Sequence, residues 1–162
     1  MTNNRITELN GFPQPRILKV VLNENLISNC QAFFGHPHLL TLDLKKNKLV
    51  NCDGLKNLKM LRELYLNENK ISDISGLADL PMLKKLDLNT NKMNAMTNLP
   101  NLPSLEELDL SNNLIADDKC LPYFGSFKNL KTLILTGCPY AEEKGDGLKG
   151  EVLVILGTVL NI

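Results

Sequence analysis

Apolar residues fall on a fixed ruler along this chain. The pattern L-x-x-L-x-L-x-x-N-x-[L/I/M] returns every 22 residues, starting at Ile17, Leu39, Leu61, Leu83 and Leu105, and an imperfect sixth copy starts at Leu130. Leu61-x-x-Leu64-x-Leu66-x-x-Asn69-x-Ile71 is the cleanest instance. Within each copy the L-x-L pair (Leu42/Leu44, Leu64/Leu66, Leu86/Leu88, Leu108/Leu110) alternates with period two, which predicts a short half-buried strand. Val20/Leu22 and Leu133/Leu135 hold the same slots in the first and last copies. One such strand cannot bury its own leucines. Copies must therefore stack in parallel at about 4.8 Å, each coil covering the apolar side of the next.

The return half of each copy has another rhythm. Ile71, Ile74, Leu77 and Leu80, then Met93, Met96, Leu99 and Leu102, recur at every third position. That spacing suits 3₁₀-like turns better than the 3.6 residues per turn of an α-helix. Leu99-Pro100 and Leu102-Pro103 point the same way, because proline inside a helix removes a donor and clashes. Asn25, Asn47, Asn69, Asn91 and Asn113 share one slot. A column of buried amides there can satisfy backbone groups where the chain leaves each strand, so these residues are read as structural. The predicted fold class is α/β: a right-handed solenoid with a parallel concave β-sheet, a convex side of 3₁₀ turns and loops, and a short C-terminal helical cap.

The expected organisation is one domain over residues 1–162, with a partial first repeat over 1–16, repeats over 17–135 and a cap over 136–162. Met1 to Ile6 aligns with Leu66 to Ile71, so the chain begins midway through a repeat with no dedicated N-terminal cap. An uncovered first coil exposes strand edge, and self-association through it is one expectation. At the other end the pattern breaks at Gly137-Cys138-Pro139-Tyr140, and an amphipathic stretch follows from about Leu148 to Leu156.

Composition then narrows the function classes. Eighteen basic and eighteen acidic residues cancel, so no global field draws the chain to nucleic acid or anionic lipid. No apolar run approaches the ~20 residues that span a bilayer, and the N-terminus lacks a signal-like apolar stretch. Neither nucleic acid nor membrane is expected as a partner. Cys30 and Cys52 stand one period apart, in a slot that later holds Ile74 and Met96. They read as buried reduced thiols in an intracellular chain.

The repeat, with its N-x-I-x-x-I-x-x-L-x-x-L-P-x-L-x-x-L-x-L form, resembles the SDS-type subclass of intracellular leucine-rich repeats over essentially the whole chain. That group includes a regulatory subunit of protein phosphatase 1, an outer-arm dynein light chain and the A-prime protein of a spliceosomal particle. It also includes the acidic nuclear phosphoproteins and several radial-spoke-type axonemal proteins. Leu135-Thr136-Gly137-Cys138-Pro139 onward is similar to the group's C-terminal cap, with Cys138 where an asparagine is usual. The acidic tail of the nuclear phosphoproteins is absent from this sequence. The resemblance implies a leucine-rich-repeat solenoid that binds another protein without catalysis. A cytoplasmic adaptor of cytoskeletal or axonemal type leads. Regulation of a phosphatase and a role in a nuclear ribonucleoprotein are the alternatives.

Candidate chemistry is sparse. His36 and His38 flank Pro37, and His36 falls on a slot that holds Leu58, Leu80 and Leu102 in later copies. It is expected to pack rather than ligate, with no metal, cofactor or catalytic site. Recognition is expected on the strand positions between the inward leucines: Asp43, Glu63, Tyr65, Lys85, Asp87, Glu107, Asp109 and Ile134. Three strand aspartates stand beside one tyrosine, and Tyr65 with Asp87 and Asp109 suggests a mildly acidic pocket for a basic or amphipathic segment. The competing reading is that aspartate there is only a soluble choice of the repeat. Lys48, Lys70 and Lys92 form a second column, read as a solvated edge.

Overall fold

A computed structural model describes residues 4–11, 16–33, 36–56, 58–95 and 99–145. Six three-residue strands form one parallel sheet in sequence order: β1 (Lys19–Val21), β2 (Thr41–Asp43), β3 (Glu63–Tyr65), β4 (Lys85–Asp87), β5 (Glu107–Asp109) and β6 (Thr132–Ile134). The register follows the repeat: Val20, Leu42, Leu64, Leu86, Leu108 and Leu133 pair in one row. In every strand this middle residue is buried, as a period-two strand facing a core requires. The chain is a solenoid of stacked coils with one continuous apolar core, built from the same leucine slots in each coil.

The convex side turns by single three-residue steps. Leu55 N–H donates to the Cys52 carbonyl, Leu61 to Leu58, Leu77 to Ile74 and Leu83 to Leu80, at 3.0–3.2 Å. Each is a 3₁₀-type bond, which places every third residue inward and accounts for the apolar period of three. The coil between Leu105 and Leu130 departs from this. It is 25 residues long rather than 22. The extra length houses a 3₁₀ turn (Asp118–Cys120) running into one turn of α-helix, α1 (Leu121–Phe124), which bury Cys120, Leu121 and Phe124. The uniformly turn-like convex side expected from sequence is thus corrected in this one coil.

The asparagine column forms a ladder between coils. Asn69 accepts from the Leu49 backbone N–H and donates to the carbonyls of Leu44 and Leu66; Asn47, Asn91 and Asn113 repeat this pattern. Cys138 occupies the last rung, where its thiol donates to the Leu110 carbonyl at 3.2 Å. The residue before each rung has a left-handed backbone: Glu24, Lys46, Glu68, Thr90 and Asn112 at φ 53–57°, then Gly137 at 75°. A glycine would adopt this freely, yet five of the six are not glycine.

At the ends, residues 4–11 stack as a half coil on the first repeat. Leu26 N–H donates to the Ile6 carbonyl, and Glu8 bridges to Asn29. After β6, helix α2 (Pro139–Lys144) starts with proline in its first turn and buries Tyr140. The amphipathic stretch expected over Leu148–Leu156 lies outside the described residues, as does Met96. Cys30, Cys52, Cys120 and Cys138 are all buried free thiols. Burial pushes the Cys30 thiol up to about 12, where it carries no charge at neutral pH.

Candidate protein-binding face

Alternation along each strand turns the residues flanking the buried leucine outward onto the concave face. Register then assembles them into columns. The first runs Lys19, Thr41, Glu63, Lys85, Glu107, Thr132, and the central one Val21, Asp43, Tyr65, Asp87, Asp109, Ile134. All eight residues expected from sequence therefore share one surface. They are not one site.

Asp43, Glu63, Tyr65 and Asp87 line a depression of about 490 Å³ over β1–β4. Lys85, Asp87, Glu107, Asp109 and Ile134 line a smaller one of about 110 Å³ over β4–β6. Asp87 belongs to both.

Side chains on this face hold one another in place. Glu63 accepts from the Thr41 hydroxyl and the Tyr65 phenol, both at 3.3 Å. Burial, then the neighbouring Glu63 carboxylate, raises the Tyr65 phenol above its ordinary range. Lys85 pairs with Glu107 at 2.8 Å rather than with Asp87 beside it. The aspartates carry a structural duty that sequence reasoning overlooked. Asp43, Asp87 and Asp109 each accept the backbone N–H two residues on, from Lys45, Asn89 and Ser111 at 2.9–3.1 Å. The signal was present as an aspartate two positions before the polar residue that leaves the strand. Asn89 and Asp109 also meet through the Ser111 hydroxyl. Burial raises the Asp87 carboxyl above the usual carboxylate range, and the Asp109 charge adds to the shift.

The other candidates sit apart. His36 is 2% exposed and stacks on Phe33 with ring centroids 4.8 Å apart, so it packs as its slot suggested. Lys48, Lys70 and Lys92 are exposed on the flank, while Lys46 bridges Glu24 and Glu68 at 3.7 and 4.0 Å. Among the described residues no three His, Cys, Asp or Glu side chains cluster as a metal site, and no helix is long and apolar enough to cross a membrane.

Comparison with known proteins agrees with this geometry. Residues 59–102 match the family model for leucine rich repeats (2 copies), and residues 104–127 match that for a leucine rich repeat. No curated protein matches the chain. Among solved structures, internalin C2 of Listeria monocytogenes is similar at 29% identity and a TM-score of 0.65, covering 91% of this chain and 65% of that one. A leucine-rich-repeat protein of Leptospira interrogans is similar at 28% identity and a TM-score of 0.65, covering 75% and 32%. TLR13, solved in complex with ssRNA13, is similar at 28% and a TM-score of 0.68, covering 83% and 20%. The chain thus spans less than two thirds of the length of each. Such scaffolds generally serve protein–protein interaction and are typically not enzymes. Repeat spacing and stacked parallel strands give this chain a leucine-rich-repeat solenoid fold, and the two matched segments fall on its repeats.

Proposed function

We propose that this chain is a non-catalytic adaptor that binds a partner protein on its concave face, through Asp43, Glu63, Tyr65, Lys85, Asp87, Glu107, Asp109 and Ile134. The observation that carries the reading is the row Asp43–Tyr65–Asp87, placed in register across three strands over a depression of about 490 Å³. Its side chains are already held by internal hydrogen bonds, so docking costs little ordering on this side. Six strands span roughly 24 Å. With the exposed residues per strand, this supplies around 800 Å² to a partner, the size of a standard specific interface.

Protein is favoured over nucleic acid by charge. The two outward columns, with the column Asn23, Lys45, Asn67, Asn89, Ser111 and Thr136 that follows them, hold five carboxylates against Lys19, Lys45 and Lys85, which opposes a polyanion. The SDS-type resemblance supports a cytoplasmic setting at the cytoskeleton or axoneme. Regulation of a protein phosphatase and membership of a nuclear ribonucleoprotein are the competing settings.

Quantitative affinity capture from native extract, run with the unaltered chain and with a Tyr65→Ala, Asp87→Ala variant, tests both levels. A partner lost with the variant supports the concave face, and equal capture by both rejects it. Recovery of tubulin or dynein heavy chain supports the leading setting. Recovery of a phosphatase catalytic subunit or of spliceosomal proteins selects an alternative.

A further inference from the structure

The central column has both a spacing and a charge order, and from these we infer that the bound partner segment is a basic amphipathic α-helix lying across the strands, along the stacking axis. The inference rests on the concave-face reading above. Val21, Asp43, Tyr65, Asp87, Asp109 and Ile134 follow one another in register across the sheet. At about 4.8 Å per strand they lie at roughly 0, 5, 10, 14, 19 and 24 Å along that axis. A helix rises about 1.5 Å per residue, so its one-face positions i, i+3, i+7, i+10, i+14 and i+17 lie at roughly 0, 5, 11, 15, 21 and 26 Å. The two series agree to about 2 Å, which side chains absorb. An extended segment presents same-face residues about 6.7 Å apart and misses Tyr65, the centre of the column, by about 3 Å.

Charge order then sets the sequence of the helix. Asp43, Asp87 and Asp109 each give one carboxylate oxygen to a backbone N–H, which leaves the other as an acceptor. Among the described residues, no ion pair involves any of the three; Lys85 is engaged by Glu107 instead. They call for arginine or lysine at i+3, i+10 and i+14, and arginine suits a carboxylate best because its fork donates twice. The half-buried Val21 and Ile134 at the two ends call for apolar residues at i and i+17. The Tyr65 ring, fixed by its bond to Glu63, takes an apolar side chain at i+7 over the larger depression.

A labelled 20-residue peptide tests this, with leucine at i, i+7 and i+17, arginine at i+3, i+10 and i+14, and alanine or glutamine elsewhere. Two controls keep its composition: one moves the arginines to the opposite face at i+5, i+9 and i+16, and one exchanges a central alanine for proline. The matched peptide is expected to bind at least tenfold tighter than either control. Asp87→Asn and Asp109→Asn should each weaken it about tenfold without affecting the controls. Amide resonances of β2–β6 should shift on saturation. Equal binding of the matched and proline peptides, or of the matched and shifted peptides, overturns the helix, as does saturation without shifts on the concave face. If the extract partner is lost with Tyr65→Ala while the peptides bind equally, the helix is rejected and the concave-face reading stands.

Discussion

Asn69 and Leu49 belong to neighbouring coils, and one side chain joins them. The Asn69 carbonyl accepts the Leu49 backbone N–H at 3.0 Å, while its amide donates to the carbonyls of Leu44 at 3.0 Å and Leu66 at 2.9 Å. Strands of three residues offer few ladder bonds each. The amide column adds bonds where the chain turns away from the sheet and water cannot reach.

Asn69→Ala should therefore be among the most damaging polar substitutions in the chain. It leaves one buried donor and two buried acceptors without this partner, each worth about 1–3 kcal/mol. A loss of about 3–5 kcal/mol is expected in urea unfolding. A loss below about 1 kcal/mol would mean that water or backbone shifts replace the amide.

Thr90→Gly should stabilise. Thr90 has φ 54°, a left-handed conformation that a β-branched residue adopts only under strain. That strain is worth about 1–2 kcal/mol, against about 0.5–1 kcal/mol of extra unfolded-chain freedom for glycine. A net gain of about 0.5–1 kcal/mol should appear as a higher melting midpoint. The contrasting change is Gly54→Ala. Gly54 has φ 90°, and an added Cβ would lie 2.1 Å from the Cys30 carbonyl oxygen, so the midpoint should fall sharply.

His36 should impose a pH dependence. Burial against Phe33 lowers its pKa below the ordinary 6.5, so the unfolded chain binds the proton more readily than the folded one. The contribution of neutral His36 is full above the unfolded value and is lost as pH falls below it toward the folded value. His36→Leu follows the slot of Leu58 and Leu80 and should flatten the fall in stability that begins below about pH 6.5. An unchanged curve would remove His36 as the cause.

Asp87→Asn should separate stability from binding. The folded carboxyl is held above its unfolded pKa, first by burial, so the folded chain retains its proton longer and stability falls as pH rises through that window. Asparagine keeps an acceptor for the Asn89 N–H and removes the charge beside Asp109. Stability at neutral pH should rise while partner affinity drops. Lower stability together with unchanged affinity would give Asp87 a structural role alone.

Much of the architecture was legible before any coordinates. The slots of Leu42, Leu64, Leu86 and Leu108 placed the strands, and the amides at Asn47, Asn69 and Asn91 placed the ladder. The eight outward residues could be grouped on one face because register copies the repeat. Two features escaped. The aspartates at 43, 87 and 109 read as a binding pocket or as solubilising choices, and neither reading gives their backbone role, because their bonds to Lys45, Asn89 and Ser111 depend on the bend after each strand. The left-handed positions at Glu24, Lys46, Glu68 and Thr90 escaped because none is glycine, so composition carried no sign of the backbone.

The sequence by itself determined what repeats: which residues face inward, how far apart the coils lie, and which side chains form columns. Its authority comes from period, since burial of identical slots admits one stacking. Tertiary structure decided what happens between columns. It paired Lys85 with Glu107 and left Asp87 without an ion pair among the described residues. It also divided the face into two depressions that share Asp87, and coiled the longer return after Ile115 into a helical turn. These outcomes depend on side-chain rotation and on distances between neighbouring coils, which a one-dimensional pattern does not contain.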